Sequence, residues 1–301
     1  MREGARIYAP RGALLQANER LEQPGLVAAL ELLADEGAAS VYRGTLAEAL
    51  LALMEERGGL VTPADLARYE PLAAAHSVVD FRGAELVSRT SPFSPLPVLG
   101  GLPELRDASP GERAVALARS LRAPDAAGHT TNITTVDREG TVCVLTTSLG
   151  LGSGDWVPGY DLHLNSMLGE TDLLVGPLTP GSRMQSMMAP TLAVGSDGPV
   201  LAAGAAGGTR LRSALVQVIA GILDEGLDPA QAVARPRLHP AGDVVNVEPG
   251  FEPDALAALE KVGLEVRAWT SLHHYFGGVS AIAGGGAAGD PRRDGGARLP
   301  R

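Results

Sequence analysis

The sequence has 301 residues, a formal net charge of −10 and a hydrophobic content of 45%. That length suits one large domain or two small ones, and the charge excludes nucleic acid and anionic membrane surfaces, whose phosphates would be repelled. The single cysteine, Cys143, excludes an intrachain disulfide.

Aromatic residues make up only 4% of the chain, so Leu, Val and Ala must fill the core, and 38 Gly with 22 Pro imply many turns. The N-terminal residues lack the apolar stretch of a signal peptide, and no apolar run is long enough to cross a bilayer. A soluble, cytoplasmic protein is the expectation. Cys143 stands in Val-Cys-Val and is expected to pack as a small hydrophobe.

Residues 1–23 carry no assignable pattern. Pro24 opens a helix with Leu26, Ala29, Leu30 and Leu33 on one face, closed by Gly37. Thr45 is predicted to cap the next helix, with Glu48 completing a capping box; that helix carries Leu46, Leu50 and Leu53 and ends at Gly58-Gly59. Thr62-Pro63 begins a short third helix with Asp65 in its first turn. Strands are expected at 77–81 and 84–88. Residues 91–103, rich in Pro, Ser and Gly, read as a loop or linker, and a short helix is predicted at 111–121.

The stretch from Gly128 to Asp137 is Gly-His-Thr-Thr-Asn-Ile-Thr-Thr-Val-Asp. Its β-branched residues favour a strand, and a turn at Arg138-Glu139-Gly140 leads to a second strand, 141–148. Thr130 stands at the mouth of this hairpin. Two readings fit. One is an edge strand with a polar face. The other is a nucleophile: cleavage before Thr130 would free its α-amine to act as base for its own hydroxyl. On the second reading the functional boundary lies between His129 and Thr130, dividing the chain into 1–129 and 130–301.

Residues 149–154 read Leu-Gly-Leu-Gly-Ser-Gly. No helix follows them, which argues against phosphate binding; the glycines are expected to let backbone approach a substrate closely. Further on, Asn165 with Glu170 or Asp172 are either solvated loop residues or receive a substrate ammonium group. Strands are predicted at 191–194 and 200–203. Then Gly204-Ala205-Ala206-Gly207-Gly208-Thr209-Arg210 runs into a helix with Leu211, Leu215, Val218, Ile219, Ile222 and Leu223 on one face. Gly207 and Gly208 either permit tight strand-to-helix packing or offer free N–H groups to an oxyanion.

A short helix at 229–234, strands at 244–248 and 264–268 around a helix at 253–262, and a last strand at 279–283 complete the pattern. The Gly-rich tail after Gly284 includes Asp290-Pro291-Arg292 and is then expected to fray. None of the six histidines shows metal-ligand spacing, and the acidic residues do not form a calcium loop. No metal and no cofactor are expected.

Taken together, the motifs resemble the gamma-glutamyltransferase (gamma-glutamyltranspeptidase) family of N-terminal-nucleophile hydrolases. They are Thr130-Thr131-Asn132-Ile133 with Val136-Asp137; Leu145-Thr146-Thr147-Ser148-Leu149-Gly150; Leu164-Asn165-Ser166-Met167-Leu168-Gly169-Glu170; Ser186-Met187-Met188-Ala189-Pro190-Thr191; Gly204 to Arg210; and Pro236-Arg237-Leu238-His239. The resemblance covers 130 to about 292 as the small subunit and about 22 to 99 as the end of the large subunit.

It implies an α+β, four-layer αββα sandwich, left incomplete where most of the large subunit is absent. It further implies self-cleavage before Thr130, with Thr130 as nucleophile, its α-amine as base, and the N–H groups of Gly207 and Gly208 holding the oxyanion. Ser148 falls at a hydroxyl position near the nucleophile. Asn165, Glu170, Asp172 and Ser186 fall near the substrate-binding end. The substrate implied is a small gamma-glutamyl amide such as glutathione, and the partner a second copy or a large-subunit chain. Met187 departs from the family's usual serine pair, which admits an acylase with a different acyl group; a catalytically impaired, truncated remnant is the other alternative.

Overall fold

The structure, a computed structural model, describes residues 2–122, 129–170, 173, 177 and 179–299. The chain divides into two compact units, residues 1–73 with 149–169 and residues 74–148 with 170–301.

The first unit is mainly helical. Helix α1 (Arg2–Tyr8) forms where the sequence shows no pattern, anchored by the buried Ile7. It is followed by α2 (Pro24–Glu36), α3 (Ala39–Arg43), α4 (Thr45–Arg57) and α5 (Pro63–Arg68). Thr62 and Asp65 cap α5 reciprocally, as their spacing predicts. Thr45 does not cap α4. Gly44 holds the cap position, where a Cβ would lie 3.0 Å from Ser40 Cα. Thr45 is therefore already helical, and its hydroxyl donates to Glu36 Oε1 at 2.7 Å instead. In the same unit Trp156 is buried and stacks on His163 at 4.4 Å. The His163 ring fills the open side of Gly152, and its Nε2 accepts from Gly154 N–H at 3.0 Å. The close approach that these glycines allow is thus to a side chain of the chain itself.

The second unit begins with strands β1 (His76–Phe81) and β2 (Ala84–Arg89). Their two-residue turn has positive φ at both Arg82 and Gly83, the twist that suits a tight hairpin. Within the stretch expected to be a loop lies α6 (Leu96–Gly100): Leu96 and Leu99 are fully buried, so tertiary packing overrides the local turn chemistry. Next come α7 (Pro110–Ser120) and the hairpin of β3 (His129–Val136) and β4 (Val142–Gly150). The chain then supplies β5 (Trp156–Val157) and β6 (Leu162–His163) to the first unit. The second unit resumes with β7 (Thr191–Gly195), β8 (Gly198–Ala206), α8 (Arg210–Leu223), α9 (Pro229–Ala234), β9 (Leu238–Ala241), β10 (Val244–Val247), α10 (Pro253–Lys261), β11 (Glu265–Ala268), β12 (Gly278–Ala283) and β13 (Gly286–Ala288).

Six strands form an antiparallel sheet in the order β1-β2-β7-β8-β12-β13. Helix α8 packs on β8 and β12, and β3 also packs against these two strands, with β4 beside it. Helix, sheet and second sheet are consecutive layers of an αββα sandwich of the α+β class. Small residues of β8 (Ala202, Ala203, Ala205, Ala206) and the almost wholly buried α8 let these layers approach closely. A three-stranded sheet, β11-β10-β9, is covered by α7 and α10.

The β4 alternation puts Val142, Val144, Thr146 and Ser148 on the half-buried face and Cys143, Leu145, Thr147 and Leu149 outside. Cys143 is therefore exposed and does not pack as a core residue: a period of two fixes its face whatever its polarity. The outer face of the hairpin exposes Ile133 (51%) and Leu145 (54%).

The C-terminal segment is anchored at Asp290-Pro291-Arg292. After β13, Asp290 caps a 3₁₀ turn over Pro291–Arg293, and both Asp290 and Arg292 are buried.

Candidate active site

Thr130 sits near the start of β3, half-buried, where that strand lies against β8 and β12. It lines a cavity of about 230 Å³ together with Asn132, Ala206, Gly278, Ser280, Asp290 and Arg293. Residues of β3, β8, β12 and the C-terminal segment thus meet at one threonine.

Two residues along the same face, Asn132 ties the layers together. Its amide, oriented by its partners, donates to Thr146 Oγ1 at 2.7 Å and Leu145 O at 3.1 Å, and accepts from Thr134 Oγ1 at 3.0 Å and from Ser280 Oγ. Thr134 and Ser280 are themselves 2.7 Å apart. Every polar atom of the half-buried amide is satisfied, which fixes the face and height of β3 over the sheet. Gly204 makes room for this: a Cβ there would fall inside the Asn132 amide. Gly204→Ala is expected to displace Asn132 and cost about 1–3 kcal/mol, the usual range for overpacking a filled site. Thermal denaturation of Gly204→Ala and of the double variant with Asn132→Ser checks this; if the smaller partner restores nothing, the steric coupling is wrong.

Gly207 and Gly208 follow β8 with φ of 136° and 61°, conformations that favour glycine. A Cβ on Gly207 would lie 2.8 Å from Gly277 Cα. Their carbonyls accept from Arg210 N–H (3.3 Å) and Leu211 N–H (3.1 Å) and start α8. Among the described residues their own N–H groups donate to no acceptor, and they sit at the positive end of the helix. The guanidinium of Arg293 lies beside them, Nη2 being 3.5 Å from where a Gly207 Cβ would stand.

The other sequence-predicted residues are dispersed over the two units. Ser148 is on the half-buried face of β4, the face that carries Thr146. Ser186 is half-buried; its hydroxyl accepts from Met188 N–H at 3.2 Å and its carbonyl from Ser91 Oγ at 3.0 Å, while Met187 is buried in the core. Asn165, in the first unit, is exposed and caps a 3₁₀ turn through Met167 N–H at 3.0 Å. Glu170, in the second, is half-buried and its carbonyl accepts from Leu173 N–H at 3.0 Å. Asp172 lies outside the described residues.

Three cavity residues went unnoticed in the sequence: Ser280, Asp290 and Arg293. Asp290 is the fixed point of the C-terminal segment. Its Oδ2 accepts from Arg237 Nη2 at 2.6 Å and Val279 N–H at 2.9 Å, and its Oδ1 from Arg292 N–H at 3.0 Å. Arg292 in turn donates from Nε to Glu248 Oε1 at 2.6 Å. Burial pushes the Asp290 carboxyl up, but Arg237 and Arg292 outweigh it and hold the group below the ordinary aspartate value. The available signal was Asp-Pro-Arg, an acceptor at a cap followed by proline in the first turn; the surrounding glycines masked it. Among the described residues no group of three or more His, Cys, Asp or Glu could hold a metal ion.

A sequence model of the family described as gamma-glutamyltranspeptidase matches residues 2–102 and 104–299. The chain is 25% identical over 368 residues to the glutathione hydrolase proenzyme of Escherichia coli (strain K12), covering 95% of this chain and 63% of that protein. It is 26% identical over 353 residues to the acylase ACY 1 proenzyme of Pseudomonas sp. (strain V22), covering 93% and 60% respectively. Its fold is similar to that of a cephalosporin acylase from Bacillus halodurans, with a TM-score of 0.82 and 22% identity over all of this chain and 67% of the other. The chain therefore spans about three fifths of the length of these curated relatives.

Proposed function

Because the chain belongs to the gamma-glutamyltranspeptidase family, we propose that it is an amidase or transpeptidase for gamma-glutamyl amides, with Thr130 as its N-terminal nucleophile. The observation that carries this reading is Thr130 itself, placed near the head of β3 in a cavity at the end of β8, next to the Gly207-Gly208 turn. Self-cleavage proceeds by attack of the Thr130 hydroxyl on the His129 carbonyl, an N-to-O shift, and hydrolysis of the ester. The freed α-amine then takes the hydroxyl proton as Thr130 attacks the substrate amide carbon. The negative oxygen forms beside the Gly207 and Gly208 N–H groups, whose contribution is typically 10²–10³ in kcat per donor. The C–N bond breaks, the leaving amine receives the proton, and water or an acceptor amine resolves the acyl ester. Ser148 supports the nucleophile, while Ser186, Asn165, Glu170 and Asp172 serve the substrate end. A further chain, or a second copy, is the partner this reading calls for, covering the apolar outer face of the hairpin.

A second reading, an acylase for a different acyl group, draws on Met187, buried where the family resemblance expects serine, and on relatives named as acylases. Purified chain should resolve by mass spectrometry into two associated polypeptides, 1–129 and 130–301, and should turn over a gamma-glutamyl anilide. A single intact chain without turnover would remove the proposal. Faster turnover of anilides lacking the α-amine would favour the acylase.

A further inference from the structure

A second cavity of the second unit, of about 210 Å³, shares no residue with that of Thr130. Three arginines reach it from separate parts of the sequence: Arg106 from the loop before α7, Arg113 from α7 and Arg235 from the end of α9. Arg113 lies deepest, its side chain 10% exposed. It gives only Nε to Glu225, at 3.2 and 3.1 Å from the two carboxylate oxygens. Arg235 donates to the same carboxylate from Nη1 at 2.6 Å, and Arg106 donates from Nε to Asp224 O at 2.8 Å. Among the described residues the other guanidinium N–H groups of these three arginines have no acceptor.

The charges around this space do not cancel. Three guanidinium groups face two carboxylates, Glu225 and the exposed Glu252, which leaves one positive charge over. The Asp224 carboxylate is engaged elsewhere, with Arg82 Nε at 2.9 Å. Burial, and after it repulsion from Arg235, holds the Arg113 guanidinium below its ordinary value. A guanidinium fork matches the oxygens of carboxylate or phosphate two at a time. A planar carboxylate offers only two oxygens, whereas a tetrahedral phosphoryl group presents three to donors that arrive from different directions. The space is smaller than the ~300–1,000 Å³ of sites for drug-sized ligands, which suits such a group and little beyond it. We propose that Arg106, Arg113 and Arg235 form a binding site for a phosphoryl group, either free as inorganic phosphate or as the end of a small phosphate monoester. The site stands apart from the reading of Thr130 as nucleophile and does not depend on it.

Calorimetric titration of inorganic phosphate into the full chain at low ionic strength should show saturable binding at or below millimolar concentration, and phosphate should raise Tm. Arg106→Gln is the first variant, because Arg106 is exposed and its one described hydrogen bond is to a backbone carbonyl, so the fold survives its loss. It should weaken phosphate binding on the order of 10-fold, the size of one lost hydrogen bond to a charged group. Arg113→Gln should abolish binding; if that variant does not fold by circular dichroism, Arg106→Gln decides alone. Glu252→Gln removes an exposed competing charge and should tighten binding. Glycerol 3-phosphate in place of phosphate tells the two sources apart: tighter binding marks a monoester, weaker binding the free ion, and either keeps the site. Absence of phosphate binding at millimolar concentration, or an affinity indifferent to Arg106→Gln, overturns the proposal. Acetate bound as tightly as phosphate at equal ionic strength overturns it too, since the site would then not read a tetrahedral group.

Discussion

If Thr130 is the nucleophile, Thr130→Ala is expected to leave the 301-residue chain in one piece and without amidase activity. The substitution removes the hydroxyl that would start the N-to-O shift, so the His129–Thr130 bond survives. It also removes the base, because the α-amine of residue 130 remains locked in that bond. On the proposed reading nucleophile and base act as one unit, so their losses would not add; deleting one member of such a unit can cost on the order of 10⁶ in kcat. Thr130→Ser retains a hydroxyl and should still cleave, more slowly. Intact mass, N-terminal sequencing of the fragments and anilide turnover read the outcome. Cleavage at the same bond in Thr130→Ala would show that another group attacks, and the assignment would fall.

Asp290→Ala is expected to lower the stability of the second unit strongly. The carboxylate is 3% exposed and neutralises Arg237, itself 2% exposed, while accepting from the backbone of β12. Removing one partner leaves a buried guanidinium uncompensated, at a cost of about 3–5 kcal/mol. For a unit of this size that corresponds to a Tm lower by roughly 6–20 °C. The folded carboxyl lies below its unfolded value of about 3.9, so its stabilisation is complete above that pH and disappears as the pH falls through the lower, folded value. The variant should therefore lose part of the acid limb of the wild-type stability profile. Calorimetry between pH 3 and 7 checks both effects. A Tm within 2 °C of wild type, with the acid limb unchanged, would show that Asp290 is not the clamp of the C-terminal segment.

Much of the fold is written in local pattern. The run of β-branched residues from Thr130 to Val136 gives β3, the apolar period from Leu211 to Leu223 gives α8, and the Thr62-Pro63-Ala64-Asp65 sequence gives the capped start of α5. These depend on neighbours within a turn or on alternate residues of one strand, and a sequence displays such neighbours directly. The departures share a cause. Thr45 lost its cap role because the backbone at Gly44 passes against Ser40. Leu96 and Leu99 became helical within a Pro-, Ser- and Gly-rich stretch because both are buried. The anchoring of the tail at Asp290 was not legible either, because Asp290 finds Arg237 across the fold.

The site divides in the same way. Thr130, Gly207 and Gly208 stand out in the sequence because a threonine opening a strand and a glycine pair before a helix have chemical meaning by themselves. Asn132 as a layer tie and Arg293 as a cavity residue have none until β8 pairs with β12, Ala206 opposite Gly278 and Gly204 opposite Ser280, and β3 is laid across both. That register is set by the side chains packed on both faces of the sheet, since a slip of one residue would turn every inward group outward. Pairing between strands so distant in the chain is a property of surfaces that exist only after folding, so the cavity, its charge and the clamp beneath it were decided there.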